Sequence, residues 1–327
     1  MKKRVLVTGA GGAAAVAFVQ ALEPGVYDVF MGDIDPYAAG LYLVPADHRV
    51  VLPRGDAPEF ARRMLDICTS RDIDVLVPTV DVELQPIEAL RASFESQGVA
   101  LLMAGDGTLG LCLDKMVLME ACSGVVPVPQ SAVYDEHFDP AAWLYPLILK
   151  PRSGSGSRGI VRVDTPSELN RIPRSEALMV QEYLPGAEYS VDVVRLPDAN
   201  LCVAVPRERL KVDSGVAVAG RTLRDAELEA FGKAVAERID LRFVANIQFR
   251  RDPQGRPALL EVNPRFPGTM PLTVAAGVDM PNIALRAVLG EAPPEEAPDF
   301  RELAMVRTWS ETYVNPRDVA RLEIACA

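Results

Sequence analysis

The residues best suited to chemistry in this chain lie between Arg242 and Pro264. From Phe243 to Phe249 the odd positions Phe243, Ala245, Ile247 and Phe249 are apolar, whereas Asn246, Gln248 and Arg250 are polar, the period of a strand with one buried face. A second run, Ala258 to Asn263, sets Ala258, Leu260 and Val262 on its apolar side and leaves Glu261 and Asn263 on the other. Asp252-Pro253-Gln254-Gly255 between them is a turn signal, so the two runs read as a hairpin. With Gln254-Gly255 as a two-residue loop, Gln248 stands opposite Glu261 and Asn246 opposite Asn263, their Cβ atoms about 4.5–5.5 Å apart. One carboxylate among several amide oxygens suits Mg²⁺, or Mn²⁺, that draws its other ligands from water and phosphate. A solvated sheet face is the competing reading, although such faces carry Lys, Glu and Thr more than Asn and Gln.

Two glycine-rich stretches bear on phosphate. Lys150-Pro151-Arg152-Ser153-Gly154-Ser155-Gly156-Ser157-Arg158-Gly159 joins two strand-like runs, Leu147 to Lys150 and Gly159 to Val163. Its N–H groups and hydroxyls can wrap phosphate oxygens beside the fixed charge of Lys150. A P-loop it is not, because the lysine precedes the glycines and no helix follows; a flexible hairpin tip fits the same residues. Gly9-Ala10-Gly11-Gly12 does stand between a strand and a helix, with Asp33 and Asp35 about 20 residues on, as in a dinucleotide site. The spacing departs from G-x-G-x-x-G at Ala14, which favours a tight turn where only glycine lets helix and sheet approach.

The scaffold around these groups has a simple order. Arg4 to Val7, Val26 to Gly32, Ile73 to Pro78 and Val99 to Met103 are strand-like, with helical stretches at Ala13 to Leu22, Glu59 to Thr69 and Leu84 to Ser96. Buried strands alternating with helices give a parallel, doubly wound sheet. Asp81 and Glu83 come after the third strand, at the carboxyl edge where open α/β sheets bind ligands. Either one of them holds a substrate amino group, or they cap the helix from Leu84. Thr108 offers an N-cap to a single helix running to about Cys122. From Pro127 the texture becomes α+β, with strands at Ala177 to Tyr183, Glu188 to Arg195 and Leu201 to Val205 and a helix from Asp225 to Ile239. Glu291 to Pro298 is an acidic, proline-rich connector to a strand-like segment holding Trp309.

The chain has 327 residues, about two domains by length. Its 34 Lys and Arg against 45 Asp and Glu leave −11, a charge that repels nucleic acid. No run approaches the roughly 18 apolar residues of a membrane helix, and the start does not read as a signal peptide. Five scattered cysteines without a C-x-x-C pair imply a reducing, cytoplasmic setting and no thiolate metal site. Two histidines leave little for imidazole chemistry.

Taken in order, Lys115, Lys150, the Gly/Ser loop, Glu182, Glu188, Gln248, Glu261, Asn263 and Arg265 resemble the ATP-grasp superfamily. Within it the likeness is to the carbamoyl-phosphate-synthase-like branch, which includes single-module amino-acid ligases. The resemblance runs from Val5 to about Leu289 and is specific as a set. It implies an α/β plus α+β architecture: a Rossmann-like pre-ATP-grasp domain over 1–107, a two-lobed ATP-grasp domain over 108–290 with a lid lobe at about 123–181, and a connector and strand over 291–327.

The resemblance also assigns roles. Lys115 and Lys150 would reach nucleotide phosphates beneath a loop of Ser153, Gly154, Gly156 and Ser157. Glu182, Tyr183 and Leu184 would form the adenine hinge, and Glu188 would face the ribose. Gln248, Glu261 and Asn263 would hold magnesium, with Arg265 and Lys150 at the transferred phosphoryl group. Arg209, with Arg207 and Lys211, would lie on one side of an extended segment near an acyl phosphate. The implied reaction joins a small carboxylic acid to an amine while ATP becomes ADP and phosphate, and relatives often form homodimers. A single ATP-grasp unit without a glutaminase or allosteric extension departs from carbamoyl phosphate synthesis itself. Two rivals stay open: an NAD(P)-dependent Rossmann oxidoreductase using Gly9 to Gly12 with Asp33, and a non-catalytic nucleotide-binding protein.

Overall fold

The computed structural model describes every residue except Met1, Ser155, Ser157 and Ala327. Short apolar runs near the start build the first sheet. Strands β1 (Arg4–Thr8), β2 (Asp28–Asp33), β3 (Arg49–Val51), β4 (Val75–Val77) and β5 (Ala100–Leu101) lie in the order β3-β2-β1-β4-β5, all parallel. Successive side chains of β1 take opposite faces. Leu6 therefore joins a core with Phe30, Phe60, Leu76 and Phe94. Val5 and Val7 join another, with Phe18, Phe266, Met270 and Met280. That second face is thus covered partly by residues from far along the chain, which ties the carboxyl edge of the sheet to the antiparallel half of the molecule.

Next comes a four-stranded antiparallel sheet. Its strands β6 (Ser131–Val133), β7 (Leu147–Pro151), β8 (Val161–Val163) and β9 (Leu178–Glu182) run in the order β6-β9-β7-β8 over a small core of Tyr134, Leu147, Leu149 and Val180. The β7–β8 connection is the Gly/Ser loop. A larger antiparallel sheet contains β10 (Glu188–Leu196), β11 (Leu201–Asp213), β12 (Val216–Thr222), β13 (Phe243–Arg251), β14 (Pro257–Asn263) and β15 (Ala304–Val306), in the order β14-β13-β10-β11-β12-β15. Helix Ala226–Arg238 buries Leu228, Val235 and Ala236 against Val191, Val193, Ile247 and Phe249 of one face. Alternation leaves Ser190, Asp192, Asn246 and Gln248 on the other face, so the period of two that hides the core also exposes the chemistry.

Three elements differ from expectation. The helix expected from Thr108 to about Cys122 is two, Asp106–Cys112 and Lys115–Cys122. Thr108 lies buried inside the first and donates to the Ile239 carbonyl at 2.9 Å, whereas Asp114 restarts the helix by accepting from Met116 N at 2.9 Å. The Leu84 to Ser96 stretch likewise divides into Asp81–Glu88 and Arg91–Ser96, the first with Pro86 inside it. In the C-terminal segment β15 stops at Val306, Trp309 is 90% exposed, and the helix Pro316–Cys326 comes where only a connector and strand were expected.

Candidate active site

The hairpin holds Asn246 opposite Asn263 and Gln248 opposite Glu261, in the expected register. It reaches that register by another route. Arg251 pairs with Pro257 and Asp252 N–H donates to Arg256 O at 2.9 Å, so the loop is the three residues Pro253, Gln254 and Gly255, the last at φ +82°. A bulge beyond Gln248 restores the pairing, with Leu260 as the extra residue. Leu259 consequently enters the core and Leu260, expected on the apolar side, turns into a cavity.

That cavity, of about 150 Å³, gathers Lys115, Lys150, Ser153, Gly154, Glu182, Tyr183, Leu184, Glu188, Gln248 and Glu261. Each lysine is set by its neighbours. Asp114 both caps the helix of Lys115 and takes Arg152 at 2.6 Å, while Lys115 N–H donates to Arg152 O at 2.9 Å, which stitches the helix to the start of the Gly/Ser loop. The Lys115 ammonium then donates to Gly154 O at 2.8 Å and lies 3.8 Å from Glu261. Lys150, only 5% exposed at the end of β7, donates to Gln181 Oε1 at 2.8 Å, and Gln181 is itself held by Ser131. Burial pushes Lys150 down to about 8; the Glu261 charge opposes the fall and Lys115 adds to it. Two cations beside a glycine loop suit phosphates, and Ile148, Ile160, Leu184 and Tyr183 offer flat apolar contact to a base.

A second cavity of about 210 Å³ shares Gln248 and Glu261 with the first. Around it stand Gly156, Ser190, Arg209, Asn246, Asn263, Arg265 and Thr269. Ser157 lies outside the described residues. Sequence reasoning missed the part of Ser190 and Thr269 here, and of Gln181 as the partner of Lys150. Ser190 faces Gln248 across β10 and β13, a signal available only once those distant strands are known to pair. Of the three alternating basic residues, Arg209 alone lines this cavity. Arg207 is buried on Asp192, and a bulge at Arg209–Lys211 leaves Lys211 exposed, so the three do not share one side.

Among the described residues no group of three His, Cys, Asp or Glu could hold a metal. The hairpin face offers a different donor set. Gln248 Nε2 and Asn263 Nδ2 each turn to a neighbouring side-chain oxygen at 3.5 Å, which leaves their amide oxygens beside Glu261 with no donor among the described residues. One carboxylate with two amide oxygens fits a hard divalent ion whose remaining ligands come from phosphate and water.

The acids of the first sheet are already engaged. Arg265 donates to both oxygens of Asp81, at 2.7 and 2.9 Å, so Asp81 serves a guanidinium instead of a free amino group. Glu83 is buried and accepts from the Thr8 hydroxyl, while its own N–H donates to the Val80 carbonyl at 3.0 Å in the first turn of its helix. Burial, with Asp33 and Asp81 nearby, pushes Glu83 up to about 7. The folded chain then binds a proton that the unfolded chain has released, between the ordinary 4.5 and about 7, and stability falls as pH rises through that window. Glu83→Gln should remove a slope worth roughly 1–3 kcal/mol in urea unfolding between pH 5 and 7.5. Equal slopes in variant and wild type would refute this.

Gly9 to Gly12 is a tight turn. Gly9 sits at φ +70°, a Cβ there would come within 2.6 Å of Val80, and Gly11 N–H donates to Asp33 Oδ2 at 2.7 Å. The carboxylate that a dinucleotide ribose would need is thereby used to close the turn.

Residues 5–102 match the family described as PylC-like, N-terminal domain, and residues 174–312 match that described as ATP-grasp in the biosynthetic pathway with Ter operon. The D-alanine–D-alanine ligase of Thermotoga maritima is 28% identical over 89 residues, 26% of this chain and 29% of that protein. The arginine-specific carbamoyl phosphate synthase large chain of Bacillus subtilis is 27% identical over 163 residues, 45% of this chain and 15% of that protein. The chain therefore spans less than a third of the length of these curated relatives. Among solved structures, biotin carboxylase from Campylobacter jejuni aligns with TM-score 0.74 at 15% identity, over 92% of this chain and 74% of that one. Staphylococcus aureus N5-carboxyaminoimidazole synthetase with ADP gives 0.73 at 16%, over 92% and 81%. The biotin carboxylase domain of Hydrogenobacter thermophilus 2-oxoglutarate carboxylase, a dimer in complex with MgADP, gives 0.72 at 18%, over 91% and 71%. These structural likenesses show a shared fold.

Proposed function

We propose that this chain, an ATP-grasp protein carrying a PylC-like N-terminal domain, is an ATP-dependent carboxylate–amine ligase working through an acyl phosphate. One observation carries the reading: the cavity with Lys115 and Lys150 and the cavity with Arg209 and Arg265 meet at Gln248 and Glu261. A nucleotide in the first would present its terminal phosphoryl group to an acid in the second. A carboxylate oxygen attacks that phosphorus and ADP leaves; an amine then attacks the acyl carbon, phosphate leaves and the nitrogen loses a proton.

Such transfer asks the protein for alignment and charge more than for covalent participation. Lys115 and Lys150 hold the phosphates, Arg265 is aimed by Asp81, and the Gly/Ser loop limits water. A magnesium ion bound by Gln248, Glu261 and Asn263 would offset the phosphate charge. No histidine is needed, in keeping with a chain that has two. Among the described residues no helix is long and apolar enough to cross a membrane. We take the substrates to be small acids and amines in the cytoplasm, and the dimeric H. thermophilus relative supports a homodimer.

MgADP at about 100 times its Kd should add about 2.7 kcal/mol and raise the melting temperature by several degrees, whereas NADH should not. A shift with NADH and none with MgADP would favour the oxidoreductase and end this reading. Phosphate release across a panel of acids and amines, with mass spectrometry of the amide, identifies the pair joined.

A further inference from the structure

Arg209, on β11, lines the second cavity and pairs with a residue of the first. Its side chain is 8% exposed, with Nη1 3.2 Å from Glu188. Nη2 donates at 2.9 Å to Gly215 O at the tip of the β11–β12 hairpin. Its buried Nε has no partner among the described residues, although a buried donor left unpaired costs free energy. The tip that Arg209 holds faces the Gly/Ser loop, since a Cβ on Gly215 would stand 3.6 Å from Gly156 Cα. Glu188 lines the first cavity and Arg209 the second, so their ion pair is a direct link between the two. Arg265, the other cation there, is neutralised by both oxygens of Asp81.

We propose that Arg209 makes the affinity of the second cavity for an oxyanion, a carboxylate or phosphate, depend on occupancy of the first. With the first cavity empty, Glu188 holds Arg209. A nucleoside whose ribose hydroxyls donate to Glu188 weakens that pair, and the guanidinium, with its unpaired Nε–H, turns its charge on the oxyanion. Nucleoside and anion then bind with positive linkage, each strengthening the other by the same factor. The inference rests on the proposed function only in taking the first cavity as the nucleoside site.

Calorimetric titration with inorganic phosphate, with and without saturating adenosine, tests it. In the wild type adenosine should tighten phosphate about fivefold or more. Glu188→Gln should bind phosphate that tightly without adenosine, and Arg209→Gln should bind it weakly in both conditions. Linkage that survives in Arg209→Gln overturns the proposal, as does weak phosphate binding by Glu188→Gln alone, which decides the matter if Arg209→Gln does not fold. Adenosine that binds without changing phosphate affinity overturns this inference alone; adenosine that does not bind overturns the nucleoside reading with it.

Discussion

Glu261→Ala is expected to lower ATP turnover about 10³-fold or more, roughly 4 kcal/mol of transition-state stabilisation, while the fold persists. Glu261 is the one carboxylate on the polar face of the hairpin, and it borders both cavities. Without it the proposed metal site would keep amide oxygens alone, a neutral set that holds a doubly charged ion poorly against water. Its loss also acts on Lys150. Glu261 is the charge that holds the buried ammonium up towards its usual range, so in the variant Lys150 falls below about 8 and loses its proton at lower pH. Nucleotide affinity should then decline at a lower pH than in the wild type. The Glu261 side chain is 28% exposed and its nearest cation is 3.8 Å away, so little stability is at stake. Wild-type turnover in a folded Glu261→Ala would remove the metal assignment; a collapsed melting temperature would show that the residue is structural.

How the site is assembled shows which parts of it are local. The polar face of the hairpin is legible because alternation is a property of neighbouring residues, and Gln248 does meet Glu261. The loop that delivers this pairing is not legible. Leu259 and Leu260 are the same residue type, so the pattern cannot say which enters the core, and the bulge is decided by what packs beneath. Capping is half-legible: Thr108 and Asp114 are both good N-cap types, and only burial of Thr108 under Ile239 settles which one acts. Ion pairs across long separations leave no local trace at all. Asp81 and Arg265 are 184 positions apart, and nothing near either residue marks it for the other. Arg207, Arg209 and Lys211 alternate identically in sequence, yet one is buried, one borders the cavity and one faces solvent. The turn at Gly9 is readable because steric demand there is local: a strand must pass into a helix within a few residues.

Asp192→Ala should destabilise the chain by about 3–5 kcal/mol, the cost of stripping the partner from a buried charge. Asp192 is 0% exposed and accepts from Arg207 Nε at 2.8 Å and Nη2 at 2.6 Å, from Asn246 Nδ2 at 2.8 Å and from the Thr273 hydroxyl. The Arg207 side chain is 2% exposed, so in the variant its guanidinium stays charged with no counter-ion and little water. Arg307 worsens the situation, because burial and the Arg207 charge already press it below the usual guanidinium range. The asymmetry between breaking a pair and removing it makes the test sharp. Asp192→Leu combined with Arg207→Met deletes both charges and should lose much less than the single variant in urea unfolding. A single variant within about 1 kcal/mol of wild type, or a double variant as unstable as the single, would sink the idea. The effect should reach the site as well. Asn246, released from Asp192, stands opposite Asn263 and beside the amide of Gln248, so the hairpin face loses its anchor. Nucleotide affinity should therefore fall together with stability in Asp192→Ala, whereas in Glu261→Ala turnover is lost and stability is kept.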